Sequence, residues 1–187
     1  MPQSTLDSLL TTSPRASASE WATALLEAEA KAKRDRLELP VAKFLGNWRL
    51  YYVTTGKVNL KSKRRRGFQL PQWLPAMISF AENPNPISPL CITNQITIAG
   101  IHIQFTGPAR HQTKKNLLAF DFTHCVVTVF GIQVYSGAVP SPTQGKVFNE
   151  VPIGKLPFFA FFQVSDRLIA ARGRGGGLAV WVKTITQ

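Results

Sequence analysis

The hydrophobic pattern changes its period near Pro40, and this change predicts one helix followed by many strands. Residues 17–20 read S-x-x-E, the spacing of a capping box, and a helix is expected from there to about Arg36. Residues 1–18 are rich in Ser, Thr and Pro and are expected to form a flexible arm. The helix carries a thin apolar stripe that suits packing on the rest of the chain better than membrane binding: Trp21, Leu25, Ala28 and Ala32.

After Pro40 the apolar positions alternate, so Trp48, Leu50 and Tyr52 are expected on one face of a first strand. Gly and Ser-Asp segments separate the further apolar runs at 91–99, 101–106, 116–122, 125–130, 132–138, 157–164, 168–172 and 178–184. Short strands at this spacing, with no helices between them, predict an antiparallel sandwich or a closed barrel. The expected organisation is therefore an arm over 1–18, a helix over 19–39 and a β domain over 40–187.

Two of these strands are apolar on both faces, at residues 126–130 and 158–162. One face of a barrel strand lines the interior, and the other face normally meets water. Doubly apolar strands therefore need an outer cover, which is either another element such as the N-terminal helix or lipid.

The two ends of the β domain carry the most specific motifs. Gly46-Asn47-Trp48 opens the first strand as G-x-W, and residues 167–182 form a basic hairpin, RLIAARGRGGGLAVWV. A G-x-W with an arginine near the last strands is similar to the narrow end of lipocalin-type barrels, where a guanidinium lies on the indole. We expect the first and last strands to pair and Arg172 to reach Trp48, with Arg167 as the second candidate.

The chain resembles the plastid lipid-associated protein or fibrillin family over most of residues 41–183. Three stretches carry the resemblance: LGNWRLYYVTT (45–55), the middle strands up to about Val139, and FFQVSDRLIAARGRGGGLAVWV (161–182). The resemblance implies a lipocalin-like antiparallel β-barrel of about eight strands with an N-terminal α-helix. It also implies non-enzymatic binding or shielding of a small lipophilic molecule (a carotenoid, quinone or other isoprenoid lipid) that supports photosynthetic membrane organisation or photoprotection.

The same resemblance implies a peripheral protein of the thylakoid membrane, on its cytoplasmic or stromal side. The implied partners are a lipophilic molecule, an anionic membrane surface and a photosynthetic or isoprenoid-biosynthesis protein. Residues 1–38 show neither a secretory signal nor a transit-peptide composition, because acidic residues are spread through them. This pattern favours a cyanobacterial member or a chain whose targeting segment was removed.

Aromatic side chains of the β domain are the candidates for lining a ligand pocket. An eight-stranded barrel has room for one small ligand or for side chains alone, so both a cavity and a filled interior stay open. The candidates are Trp48, Tyr52, Phe105, Phe120, Phe122, Phe130 and Phe161.

The charge is strongly positive, since 22 basic and 10 acidic residues give a formal net charge of +12. Such a field attracts anionic partners. One basic cluster, followed by an aromatic residue, is expected to contact an anionic membrane; a solvated loop is the main alternative, and nucleic acid is the less favoured partner. The cluster comprises Lys61, Lys63, Arg64, Arg65 and Arg66, with Trp73 as its aromatic neighbour.

The residues typical of catalysis are few and dispersed. The histidines His102, His111 and His124 show no metal-ligand spacing, and no metal or certain cofactor is expected beyond a bound carotenoid, quinone or lipid. Asp121 is close to His124 in sequence, which favours a turn contact over a catalytic pair. Non-enzymatic binding is therefore the main hypothesis.

Two alternatives from other classes stay open. A lipocalin-type bilin chaperone or lyase, or a pigment isomerase, is the best enzymatic one. An adaptor whose basic face docks an acidic protein or nucleic acid is the other. Cys91 and Cys125 are too few for a disulfide framework and are expected to be thiols, and the glycine-rich segment 172–177 favours a hairpin turn over a phosphate loop.

Overall fold

The computed structural model describes residues 5–11, 16–58, 67–84, 88–141, 143 and 146–184. Within these residues the chain forms two helices, α1 (Thr5–Thr11) and α2 (Ala18–Arg34). Ser17 caps α2: its side chain accepts a hydrogen bond from the backbone N–H of Glu20, and its own N–H donates to the Glu20 carboxylate at 2.7 Å. The predicted capping box is confirmed.

The remaining elements are strands and short 3₁₀ helices. The strands are β1 (Gly46–Thr54), β2 (Gly67–Gln69), β3 (Ala76–Glu82), β4 (Leu90–Ile98), β5 (Ile101–Gln112), β6 (Leu117–Phe120), β7 (His124–Val129), β8 (Ile132–Ala138), β9 (Phe158–Val164), β10 (Leu168–Gly173) and β11 (Leu178–Lys183). The 3₁₀ helices are Val41–Lys43, Thr113–Lys115, Phe148–Glu150 and Ile153–Lys155.

Eight strands close into an antiparallel barrel in the order β1-β3-β4-β5-β6-β9-β10-β11 and back to β1. The closing pair joins the first and last strands, with Trp48 opposite Lys183 and Val53 opposite Ala179. The predicted barrel of about eight strands is therefore confirmed, and so is the pairing of its first and last strands.

Helix α2 packs on the outside of the barrel, against β9 and its neighbours. Trp21 and Leu25 of α2 share one buried cluster with Phe162 of β9, Ala170 of β10 and Val180 of β11. The opposite faces of these strands point into the barrel. Helix α2 is thus the outer cover that the doubly apolar strand β9 was predicted to need.

A β-bulge at Tyr51 changes the face on which the second half of β1 points. Leu50 is opposite Trp181, and Tyr52 is opposite the next residue, Val180, so Tyr51 is the extra residue. Both tyrosine rings consequently contact Trp21 of α2, with centroid distances of 5.3 and 6.0 Å. The expectation that Tyr52 shares a face with Trp48 is wrong, since Tyr52 lies outside the barrel.

The arm expected over 1–18 contains the helix α1. Leu6 is only 1% exposed and belongs to the same cluster as Trp21 and Leu25. Asp7 accepts a hydrogen bond from Ser165 Oγ at 2.8 Å, which ties α1 to the β9–β10 turn. The apolar positions of this short segment bury it, so the part from 5 to 11 is packed rather than loose.

Strands β4 and β5 continue beyond the barrel and carry the hairpin β7–β8. From Ala109 to Gln112 strand β5 pairs with β6, whereas from Ile101 to Thr106 it pairs with β7. The change of partner occurs at Gly107, where an added Cβ would lie 1.8 Å from the carbonyl oxygen of Asp121. We call residues 94–106 together with β7 and β8 the sheet extension.

Candidate ligand-binding site at the barrel mouth

One end of the barrel is closed by an indole and a phenyl ring. Phe44 follows the first 3₁₀ helix of the β domain, and both it and Trp48 are fully buried. The Trp48 indole N–H donates to the Phe44 carbonyl at 2.7 Å, and Lys183 Nζ lies 5.2 Å from the Trp48 ring centroid. A cation thus lies over the indole, as predicted, but the cation is a lysine.

The predicted contact of Arg172 with Trp48 is wrong. Arg172 instead reaches outward to Glu29 of α2, with Nε to Oε1 at 2.8 Å and Nη2 to Oε2 at 2.6 Å. Arg172 shares a face with Ala170, as alternation required, but that face lies under α2. The second candidate, Arg167, meets β11 through its carbonyl, which accepts from the Lys183 N–H at 2.8 Å.

Aromatic side chains follow one another inside the barrel from the closed end to the opposite end, and we call this set the aromatic column. Neighbouring ring centroids in it lie 4.5–6.5 Å apart. The pocket candidates Trp48, Phe120 and Phe161 are all core residues here. Side-chain packing therefore occupies the space around these three residues. The column consists of Phe44, Phe161, Phe159, Trp181, Phe120, Phe122 and Phe105.

The aromatic column ends at the other end of the barrel, which we call the mouth. Phe122 lies 5.1 Å from Phe120 and 5.8 Å from Phe105 between ring centroids, and both Phe122 and Phe105 are only partly buried. Phe44, at the other end of the column, is fully buried, so the column is sealed at that end and more accessible at the mouth. Phe105 and Phe122 are the pocket candidates that line this mouth.

The sheet extension has one apolar and one polar face. The register places the apolar side chains on the face that continues the barrel interior: Ile96, Ile98, Ile101, Ile103, Phe105, Val127, Val129, Ile132 and Tyr135. Asn94 is the polar residue of this row, at its root. The outer face carries mainly polar residues, with Val126 as an apolar exception: Gln95, Thr97, His102, Gln104, Thr128 and Gln133. Cross-strand hydrogen bonds, such as Thr97 Oγ1 to His102 Nδ1 at 2.9 Å, join polar side chains on that face.

The sheet extension also lacks charge. No Asp, Glu, Lys or Arg occurs between Glu82 and Arg110 or between Asp121 and Lys146. The strongly positive charge of the chain therefore lies entirely outside the extension.

The exposed apolar side chains are concentrated in the same region. Ten large hydrophobic residues are exposed among the described residues, and eight of them belong to the sheet extension or to the adjacent β2–β3 segment. These eight are Phe68, Trp73, Ile98, Ile101, Phe130, Ile132, Val134 and Tyr135. An uncharged sheet with one open apolar face is unusual for a surface that meets only water.

Two predicted pocket residues lie elsewhere. The Tyr52 hydroxyl donates to the Ala18 carbonyl at 2.8 Å, and burial raises the pKa of Tyr52 to about 12, so this residue joins α2 to the barrel. Phe130 occupies the turn between β7 and β8 and is 80% exposed. Neither side chain lines the interior of the barrel.

Only part of the predicted membrane-binding cluster belongs to the residues that the structure describes. Lys61, Lys63, Arg64, Arg65 and Arg66 lie outside the described residues. The residues that flank this stretch are at the mouth end of the barrel, because Gly67 pairs with Thr54 at the end of β1. Trp73 is described and is 77% exposed.

The polar residues that raised the question of catalysis are separately engaged. Asp121 is buried and accepts hydrogen bonds from Ser141 and Thr143, whereas His124 Nε2 lies 3.0 Å from Ser136 Oγ. His111 packs on Phe44, and burial lowers its pKa. Within the described chain, no three His, Cys, Asp or Glu residues group together as metal ligands, and both cysteines are thiols.

A cavity of about 500 Å³ lies near the closed end and was not predicted. It separates the last turn of α2 from the 3₁₀ helix Thr113–Lys115 and β9. Asn116 fixes its wall: its side-chain oxygen accepts from the Leu39 N–H at 2.9 Å, and its amide donates to the Leu37 carbonyl. We call it the rear cleft; its cationic lining is Lys33, Arg36, Lys114 and Lys115.

The fold and the mouth together define a lipocalin-like β-barrel with an aromatic core and an apolar extension. No family model, curated protein sequence or solved structure matches the chain. Neither of the helices in the described ranges has the length and hydropathy needed to cross a membrane.

Proposed function

We propose that this protein binds a small lipophilic molecule at the barrel mouth, without catalysis. The carotenoid, quinone or other isoprenoid lipid that the family resemblance implies is the chemical class we propose, and the thylakoid membrane surface is the proposed location. The ligand would lie on the root of the sheet extension, against Phe105, Phe122 and Ile103.

The observation that supports this proposal is the continuity between the barrel interior and the open apolar face. Phe105 stands opposite Cys125 on one side and Asn94 on the other, so it lies mid-sheet at the point where the barrel ends. On this face Ile98, Ile101 and Ile132 are exposed, and Ile103 and Phe105 are only partly buried. Burying apolar surface is favourable by about 25 cal/mol per Å², so an apolar ligand of matching length gains stability there.

The mouth is favoured over the interior because the interior is already packed. Phe44 and Phe161 approach to 4.5 Å between ring centroids, and Phe159 and Trp181 to 5.2 Å. A ligand inside the barrel would have to displace such rings, which costs the packing that holds the barrel together. A ligand at the mouth would contact side chains that are only partly buried, such as Phe105 and Phe122.

Titration with a hydrophobic fluorophore, followed by displacement with a carotenoid or a quinone, tests the proposal. Ile103→Gln places a polar group on the inner face, and we expect Kd to rise about tenfold, which corresponds to about 1.4 kcal/mol. The matched control is His102→Gln, which changes the adjacent residue on the outer face and should leave Kd unchanged. Absence of saturable binding, or an equal effect of both substitutions, would refute the mouth as the binding site.

Mass and absorption spectra of whatever co-purifies with the protein separate the proposal from its alternatives. A non-covalent carotenoid, quinone or isoprenoid lipid supports it. A covalently attached bilin would indicate the pigment-lyase alternative, and nucleic-acid absorbance would indicate the basic adaptor.

A further inference from the structure

We propose that the tip of the sheet extension inserts into one leaflet of a lipid membrane. This inference takes from the proposed function only that the protein works at a membrane surface. It names the part of the chain that enters the lipid, and it can be tested without any bound ligand.

Two hairpin turns lie side by side at the tip. Ala99-Gly100 joins β4 to β5, and Phe130-Gly131 joins β7 to β8, with φ values of 48° and 82° in the first turn and 48° and 84° in the second. Positive φ at both central residues is the signature of a type I′ turn. The Phe130 N–H donates to the Gly100 carbonyl at 2.8 Å, so the two turns are joined.

Phe130 occupies a backbone position that suits Asn far better than an aromatic residue. A bulky residue at positive φ is an outlier, and the position before glycine in a type I′ turn is dominated by Asn, Asp and Gly. The phenyl ring lies over Gly100, where an added Cβ would be 2.5 Å from the ring, yet 80% of Phe130 remains exposed. A strained residue that presents an aromatic ring to the outside points to a contact beyond the chain itself.

The exposed apolar surface runs across the full width of the tip. Ile132 and Val134 lie at the β8 edge and are 70% and 60% exposed. Ile98 and Ile101 flank the β4–β5 turn, between this edge and Trp73. Trp73 lies on the opposite side, in the turn before β3, where the Thr97 N–H donates to the Pro75 carbonyl at 3.3 Å. Pairing of β8 with a second copy of the chain would cover only one edge. A leaflet covers the whole width.

The charge distribution also fits a membrane. The sheet extension has no charged side chain to dehydrate, and a charge placed in the apolar layer is costly. The remaining chain, with its net charge of +12, is attracted to an anionic leaflet and would stay at the headgroup level. Exposed Trp and Phe side chains are the residues that settle at the boundary between headgroups and acyl chains.

Sedimentation with vesicles of neutral phosphatidylcholine, and of phosphatidylcholine with an anionic lipid, tests the proposal. Phe130→Asn removes the ring and creates an Asn-Gly turn, so we expect the fold to be at least as stable as in the wild type. Partitioning onto both kinds of vesicle should fall about tenfold. Ala99→Asn is the matched control, because it introduces the same polar side chain into the neighbouring turn, and the apolar group that it replaces is only a methyl. It should bind as the wild type does.

The fluorescence of Trp73 independently measures how deeply the tip enters the leaflet. It is the exposed one of the four tryptophans, since Trp21, Trp48 and Trp181 are buried. Lipids brominated near the top of the acyl chain should quench the wild-type emission, and Trp73→Phe should remove that quenching. Three results would overturn the proposal. Phe130→Asn could bind vesicles as the wild type does, or the bound protein could show no quenching. The protein could also form a dimer in solution that Phe130→Asn dissociates. Fluorophore binding by Phe130→Asn in vesicle-free solution should be unchanged, so failure of insertion and failure of ligand binding are distinguishable.

Discussion

Glu29 of α2 and Arg172 of β10 are 143 residues apart and form two hydrogen bonds, one at 2.8 Å and one at 2.6 Å. The Glu29 side chain is 8% exposed and that of Arg172 is 20% exposed. Arg172 Nη1 also donates to the Val58 carbonyl at 3.1 Å. The Arg172 guanidinium of β10 therefore binds both α2, through Glu29, and the chain that follows β1, through Val58.

We predict that removing either member of this pair loosens α2. Among the described residues, Arg172→Gln leaves the buried Glu29 carboxylate with Lys33 as its one cation, and loss of one partner of a buried pair costs about 3 kcal/mol. Urea denaturation should show a lower free energy of unfolding by roughly that amount. Arg174→Gln is the control, since Arg174 contacts only backbone carbonyls at 3.2 and 3.4 Å. Equal stability of Arg172→Gln and the wild type would contradict the tie.

The same pair predicts a pH dependence of stability. Burial raises the pKa of Glu29, but the hydrogen bonds and charges of Arg172 and Lys33 outweigh burial and lower that pKa below its ordinary value of 4.5. A carboxyl group whose pKa is lowered on folding stabilises the fold above pH 4.5, and this contribution is lost as the pH falls through the folded-state pKa. The difference in unfolding free energy between wild type and Glu29→Gln should therefore shrink on acidification from pH 6. A difference that stays constant or grows would show that Glu29 is not the titrating group.

Much of the fold was predictable because turns and strand lengths depend on the local sequence. Gly100 and Gly131 mark the two tip turns, and β8 runs from Ile132 to Ala138 as predicted. Strand β5 was expected to end at Thr106, because Gly107-Pro108 is a usual break in a strand. It continues to Gln112 since the proline lies where β5 changes its partner.

The binding site was less predictable than the fold. Where both faces of a strand are buried, the sequence does not show which face points into the barrel. β10 is buried at Leu168, Ile169, Ala170 and Ala171, and nothing local shows that Ile169 points inward and Ala170 toward α2. The lysine over Trp48 was missed because the resemblance to lipocalin-type barrels implies an arginine there. The open face of the sheet extension could have been found from the absence of charge between Glu82 and Arg110, which is visible in the sequence.

We predict that Gly107→Ala disrupts the junction between the barrel and the sheet extension. The added Cβ would meet the backbone of Asp121 at 1.8 Å, and backbone cannot move aside cheaply. The free energy of unfolding should fall by about 3 kcal/mol. Gly154→Ala is the control, because no atom lies within 4 Å of the added Cβ there. Circular dichroism and thermal unfolding of both variants measure the effect, and equal stability would disprove the close approach.

We predict that the basic cluster strengthens binding to anionic vesicles and has no effect on binding to neutral ones. The triple change Arg64→Glu/Arg65→Glu/Arg66→Glu reverses three charges, each worth about 1 kcal/mol near an anionic leaflet. Binding to anionic vesicles should fall strongly, while partitioning onto neutral vesicles should stay the same. If the triple variant sediments with anionic vesicles as the wild type does, the cluster has another role.

Photochemical labelling locates a bound lipophilic molecule and so decides whether the barrel mouth is its binding site. A lipophilic isoprenoid probe carrying a diazirine would be bound in vesicle-free solution, irradiated, and its attachment sites located by mass spectrometry. Binding at the mouth predicts labels on the peptide that contains Ile103 and Phe105 and on the peptide from Phe122 to Val129, with both suppressed by excess unlabelled probe. Labels confined to the rear cleft, around Lys33 and Asn116, or scattered labels that excess probe does not suppress, would contradict it.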